Sequence, residues 1–158
     1  MSEAGILHHF ADKVTLLAAV LEHRDAVDIE QFRRLSADGE SSLHALIQLA
    51  KSNESRERII RLYATLSGES TAPDHPAHEH FVDRYVRARA FLRESFDALD
   101  RRGLLRAGVS AESAAIGTIA TMDGLQTQWL LDPDAIDMSA QLAQYLSAVT
   151  EITFSAEV

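Results

Sequence analysis

The sequence has 158 residues and no cysteine, and it is 46% apolar and 25% charged, which is the composition of a single soluble globular domain. The lack of cysteine excludes disulfide scaffolds, cysteine-ligated zinc and thiol catalysis. A formal net charge of −9 does not favour global attraction to nucleic acid or to an anionic membrane. No apolar run approaches the ~20 residues of a membrane-spanning helix, and no signal-peptide pattern begins the chain, so a cytoplasmic location is expected.

The periodicity of apolar residues predicts an all-α fold, a helical bundle. Apolar residues recur at intervals of three and four along nearly the whole chain, and no segment shows the sustained alternation of a strand. Seven helices are expected, over approximately 1–10, 12–24, 41–52, 55–66, 78–102, 110–131 and 137–154.

Residues that start or stop helices mark several of these boundaries. Asn53 separates the third and fourth helices, and the segment 67–76 collects one glycine, two prolines and small polar residues, which predicts a surface loop. Gly103 follows two arginines and predicts the end of the fifth helix. Ser110 and Asp137 are expected to cap the last two helices.

The last two helices carry features of a close helix–helix contact. Gly117 and Gly124 lie inside the sixth helix, where each costs about 1 kcal/mol relative to alanine. The final helix repeats apolar residues at alternating spacings of four and three, as in the seam of a helix bundle. Such faces fit either the core of one chain or a two-fold seam between two copies, and the sequence leaves both open. The predicted dimer interface consists of Gly117, Thr121, Gly124, Gln128, Met138, Leu142, Tyr145 and Val149.

Three segments resemble one known family. Residues 2–13, SEAGILHHFADK, contain two histidines, a phenylalanine, a small residue, a polar residue and a lysine in order, which resembles the recognition helix and following helix of the TetR family of bacterial transcriptional regulators. Residues 76–81, PAHEHF, and 122–133, MDGLQTQWLLDP, resemble the regulatory domain of that family. The resemblance covers essentially the whole chain, and the N-terminal motif is the more specific part.

The resemblance implies a ligand-responsive transcriptional regulator of the repressor type. It implies a residual DNA-binding head over 1–24 and a ligand-binding and dimerisation domain over 25–158. The family builds its helix-turn-helix unit from three helices, and 2–9 resembles the third, so the first two are missing from this sequence and we expect impaired DNA binding in this form. A lone helix of that length is marginal in water. The implied DNA-contacting residues are Ser2, Glu3, Ala4, Gly5, His8, His9 and Lys13.

The resemblance also implies a homodimer that binds operator DNA in a full-length form and a small, largely apolar effector. Gln126 and Trp129 lead the nominated pocket residues, because a glutamine on an apolar stripe needs a partner and an indole N–H usually finds one. Ordinary core packing is the alternative for every nominated position. The nominated pocket residues are His44, Tyr63, Phe81, Tyr85, Arg89, Met122, Gln126 and Trp129.

Other chemistry finds little support in the sequence. His78 and His80 are two positions apart and point to different faces of a helix, so a metal site with His75 is not favoured, and no cofactor is expected. The sequence offers neither a nucleophile with an adjacent base nor paired carboxylates, so it does not suggest an enzyme. Asp123 is expected to make a polar contact or to reach across a dimer seam. The alternative function is a helical homodimer that binds small molecules or proteins without binding DNA.

Overall fold

The computed structural model describes residues 13–35 and 39–156. Within these ranges there is no strand, and Leu105 and Thr150 form an isolated antiparallel bridge. The predicted all-α fold is therefore confirmed, while the short helix predicted over 1–10 lies outside the described residues. The described helices are α1 (Lys13–Leu35), α2 (Gly39–Asn53), α3 (Glu57–Glu69), α4 (His78–Asp100), α5 (Ala111–Leu131) and α6 (Met138–Val149).

The first described helix is longer than predicted. α1 continues beyond Arg24, its expected end, to Leu35. The segment 25–35 contains neither glycine nor proline, so no residue in it breaks the helix. The expected boundary between the two domains at 24 and 25 consequently falls inside a continuous helix.

The caps of the last two helices form as predicted. The Ser110 hydroxyl oxygen accepts a hydrogen bond from the Ser113 backbone N–H at 3.1 Å, and Asp137 Oδ1 accepts from the Ala140 N–H at 2.9 Å. α6 ends at Val149, earlier than expected, because Thr150 takes an extended backbone and pairs with the loop before α5.

The helices enclose two hydrophobic clusters. α5 packs against α4, α6 and α3, while α2 packs against α4, α6 and α1. The main cluster joins α2, α4, α5 and α6 around Phe96, which is fully buried. The second cluster joins α1, α3 and the start of α4, and it contains Leu21, Tyr63 and Phe81. The cavity described below is lined by members of both clusters, so it lies between them.

The two interior glycines of α5 have different surroundings. A Cβ atom at Gly117 would lie 2.0 Å from the Tyr145 hydroxyl oxygen, so the close approach at this position is made by α6 of the same chain. Apart from its sequence neighbours and the backbone of its own helix, a Cβ atom at Gly124 would have no atom of the described chain within 4 Å. The face of α5 that carries both glycines is therefore in contact with α6 at Gly117 and open at Gly124.

The predicted interface residues divide in the same way. Met138 and Leu142 are buried in the main cluster of their own chain, and this burial leaves them no surface for contact with a second copy. Thr121, Tyr145 and Val149 are half-buried, and Gln128 is exposed.

Candidate ligand-binding cavity

A cavity of about 360 Å³ lies among α1, α2, α3, α4 and α5. Its volume is in the range of small-molecule sites, which is about 300–1,000 Å³. The apolar lining residues are Ile29, Leu46, Leu49, Ala88, Phe91, Leu92, Ile119 and Met122. The polar lining residues are Arg24, Asp25, Asn53, Tyr63, Arg84, Tyr85, Arg87, Asp123 and Gln126.

The burial of the lining residues gives the cavity an open end and a closed end. Ile29 is 47% exposed and Phe91 is 39% exposed, and Arg87 is also exposed, so these residues surround the mouth. Asn53 is 0% exposed and Gln126 is 5% exposed. The two amide side chains therefore belong to the closed end.

One wall of the cavity is a polar cluster around the ring of Tyr63. The guanidinium carbons of Arg24 and Arg84 lie 4.7 Å and 4.8 Å from the ring centroid, within the range of cation–π contact. Arg84 Nε donates a hydrogen bond to the Tyr63 hydroxyl at 3.2 Å, and Arg84 Nη1 forms an ion pair with Asp25. These contacts join α1, α3 and α4 at a single aromatic ring.

A chain of hydroxyl groups continues from this ring to α5. The Tyr63 hydroxyl donates to the Tyr85 hydroxyl at 3.4 Å, which in turn donates to Asp123 Oδ2 at 2.7 Å. The Ser67 hydroxyl lies 3.1 Å from the same Tyr85 oxygen. Burial raises the pKa of Tyr85 well above its ordinary value and also raises the pKa of Asp123, whose hydrogen bond from Tyr85 acts in the opposite direction. Asp123 thus makes its polar contact inside its own chain.

The closed end contains hydrogen-bonding groups that the described protein does not use. Neither amide atom of Asn53 has a hydrogen-bond partner among the described residues, and the same holds for Gln126 Oε1. A small space of about 10 Å³ adjoins both side chains. An unsatisfied buried polar group costs about 1–3 kcal/mol, so these amides are a disadvantage to the chain unless something else binds them.

The structure brings half of the nominated pocket residues to the cavity. Tyr63, Tyr85, Met122 and Gln126 line it. The other four are not among its lining residues. Trp129 packs in the main cluster and Phe81 packs in the second cluster. The His44 ring centroid lies 4.8 Å from the Phe154 ring centroid, and Arg89 is half-buried on α4.

Several residues of the cavity lining were not predicted from the sequence. The sequence pattern ends a helix at Arg24 and gives Asn53 as a separator between two helices, so neither residue is predicted to line a cavity. Arg84 could have been predicted as a lining residue, because it lies beside Tyr85 and four positions before Ala88 on the same helix. No sequence signal distinguishes Asn53 from an ordinary asparagine at a helix end.

The residues predicted to contact DNA, Ser2, Glu3, Ala4, Gly5, His8 and His9, lie outside the described ranges, and Lys13 is the first described residue. In the described part, no three His, Asp or Glu side chains gather where they could hold a metal ion. His78 Nδ1 instead lies 2.8 Å from the Ser70 carbonyl oxygen. No helix among residues 13–35 and 39–156 has the length and apolar character needed to cross a bilayer.

One protein family matches most of the chain. Residues 39–153 match the family described as "BetI-type transcriptional repressor, C-terminal". Among solved structures, the chain is similar to SmeT, the repressor of the Stenotrophomonas maltophilia multidrug efflux pump SmeDEF, with a TM-score of 0.67 and 20% sequence identity over 95% of this chain and 75% of that chain. At this identity the likeness shows a shared fold. No curated protein matches the sequence.

Proposed function

Because the chain belongs to the TetR family and matches its BetI-type transcriptional repressors, we propose that it represses transcription in response to a small, largely apolar effector bound in the cavity. The observation that carries this proposal is the cavity of about 360 Å³, whose lining includes eight apolar residues and, at its closed end, the unpartnered amide of Asn53 and the unpartnered Oε1 of Gln126. Binding sites of this kind combine apolar walls with a few polar groups that fix the orientation of the ligand.

The proposal assigns effector binding and dimerisation to residues 25–158 and operator contact to residues 1–24. α1 runs through the boundary between these parts, and Arg24 and Asp25 of α1 are part of the cavity wall. The ion pair between Asp25 and Arg84 connects α1 to α4. An effector that changes this wall has a direct route to α1, and it acts by shifting the population between operator-binding and non-binding arrangements.

Dimerisation through the outer faces of α5 and α6 is part of the proposal. Leu131 is 82% exposed and Ile116 is also exposed on α5, so both side chains are accessible to a partner. Gly124 leaves open space on the same helix, where a second helix could approach its backbone closely. Gln128 is exposed one turn later.

The test is specific DNA binding and its response to a cavity ligand. The protein is expressed from its genomic reading frame, with any in-frame sequence that precedes Met1, and is titrated onto a fluorescent fragment from upstream of its own gene at fixed salt, because affinity for DNA depends strongly on salt. We expect specific binding that weakens when a compound occupies the cavity. Absence of specific binding would favour the alternative of a helical dimer that binds small molecules without DNA. Specific binding that no cavity-binding compound changes would contradict the effector response.

A further inference from the structure

We propose, on the basis of the proposed function, that the effector carries an uncharged head group that both donates and accepts hydrogen bonds, such as a hydroxyl or a carboxamide, and that this group binds Asn53 and Gln126. The rest of the effector is apolar and extends towards the mouth of the cavity.

The hydrogen-bonding capacity of the closed end calls for a donor and an acceptor together. Both the oxygen and the nitrogen of the Asn53 amide are unpartnered, so this side chain offers one acceptor and one donor group. Gln126 Oε1 adds a second acceptor. Exchanging the oxygen and nitrogen of either amide by a half-turn keeps at least one acceptor and one donor at the site. A head group with only acceptors or only donors would leave part of this capacity unused.

The surroundings of the two amides disfavour a charged head group. The small space beside them is otherwise lined by apolar side chains, Ala50, Met122, Leu125, Met138 and Leu142. The amides carry no formal charge, and a charge buried without a counter-ion costs far more than a buried neutral group that is hydrogen-bonded. Of the ionic groups that line the cavity, Asp25 pairs with Arg84, Asp123 accepts from Tyr85, Arg24 lies over the Tyr63 ring and Arg87 is exposed at the mouth.

The remainder of the cavity suits an apolar body. Leu46, Leu49, Leu92 and Ile119 line it, and Phe91 stands at the mouth. Binding therefore combines burial of apolar surface with hydrogen bonds that only a suitable head group can make.

The test compares four probes that share one apolar chain and differ only in the head group: octanamide, octan-1-ol, octanoate and octylammonium. Binding to the 158-residue chain is measured by calorimetric titration at neutral pH. We expect octanamide and octan-1-ol to bind at least tenfold more tightly than the two charged probes. Equal affinity for all four would overturn this inference and leave the proposed cavity in place, whereas binding by none of them would count against the effector cavity itself.

A variant locates the preference at the amides. Gln126→Met keeps the length of the side chain and removes its hydrogen-bonding atoms. We expect it to weaken octanamide binding roughly five- to tenfold, the effect of one lost hydrogen bond, and to raise the urea midpoint of the unliganded protein, because an unpartnered buried carbonyl is removed. Gln48→Met, at a half-buried glutamine of α2 that belongs neither to the cavity lining nor to the predicted dimer interface, is the matched control and should change neither quantity. A lower urea midpoint for Gln126→Met would show that the amide has a structural role and would overturn the inference.

Discussion

The contact between Gly117 and Tyr145 makes a sharp prediction about the packing of α5 against α6. Gly117→Ala places a Cβ atom 2.0 Å from the Tyr145 hydroxyl oxygen and 3.0 Å from its ring carbon Cζ. Neither distance is compatible with the present position of the tyrosine, so the ring or one of the helices must move.

The size of the effect follows from two opposing contributions. Overpacking of this kind costs about 1–3 kcal/mol, while alanine gains about 1 kcal/mol over glycine in a helix. We therefore expect Gly117→Ala to lower the free energy of unfolding by up to about 2 kcal/mol. In a Tyr145→Phe background the clashing oxygen is absent and a shift of a few tenths of an ångström relieves the ring contact. There the helix propensity should dominate, and Gly117→Ala should stabilise the chain by up to about 1 kcal/mol.

The assay is a double-mutant cycle by urea denaturation at one protein concentration, because any dimer makes the midpoint depend on concentration. Gly68→Ala is the control, since a Cβ atom at this exposed position would touch nothing within 4 Å. Its effect should be the same with tyrosine or phenylalanine at position 145. If Gly117→Ala has equal effects in the two backgrounds, the Tyr145 hydroxyl is not what requires glycine, and the reasoning fails.

Three further predictions concern Asp123, Gly124 and Ser110. Burial raises the pKa of Asp123 above its ordinary value of 3.8 against the opposing hydrogen bond from Tyr85, so the folded chain loses stability as the pH rises from about 4 through the raised pKa. Asp123→Asn should remove this loss. In urea denaturation, the free energy of unfolding of the variant relative to the parent should therefore be larger at about pH 8 than at about pH 4. A relative stability that falls between these pH values would contradict the raised pKa of Asp123. Gly124→Leu should shift the protein towards monomer in light scattering without unfolding it, whereas an unchanged dimer would exclude Gly124 from the interface. Ser110→Ala should cost about 1 kcal/mol through loss of the cap, or roughly 2–4 °C in thermal denaturation, and an unchanged Tm would show that the capping bond contributes nothing.

The parts of the fold that the sequence predicted well are those with local causes. A cap such as Ser110 or Asp137 acts on backbone groups within three residues, so its effect is visible in the sequence itself. α1 was predicted too short because the apolar stripe of its first half, which includes Leu17 and Leu21, meets Asp25 and Asp28 at the next positions of the same helical spacing. Val27 and Ile29 are exposed there, and a helix that borders solvent and a cavity does not need the periodicity of a helix that borders a core.

Residues of the candidate site were predictable only where they follow the same helical spacing as residues of a hydrophobic core. Tyr63 and Met122 were found because a cavity lining and a core lining follow the same helical spacing. The same spacing could not separate Gln126 from Trp129, which lie one turn apart, although one faces the cavity and the other packs in the main cluster. Asn53 was missed because most of its surroundings come from α5 and α6, which lie 69 to 89 residues further along the sequence.

The cavity lining contains one polar cluster that connects helices and one set of aliphatic residues, and this difference affects how such a protein can evolve. The ring of Tyr63, with its two arginines, connects three helices in one part of the wall, while α2 and α5 contribute the aliphatic residues Leu46, Leu49 and Ile119 to the lining. Exchanges among aliphatic residues of similar volume usually cost less than about 1.5 kcal/mol. Single substitutions among the aliphatic lining residues can therefore change which molecule fits the cavity, while the contacts around Tyr63 that connect the helices are kept. Ligand specificity can consequently diverge among related proteins faster than the fold.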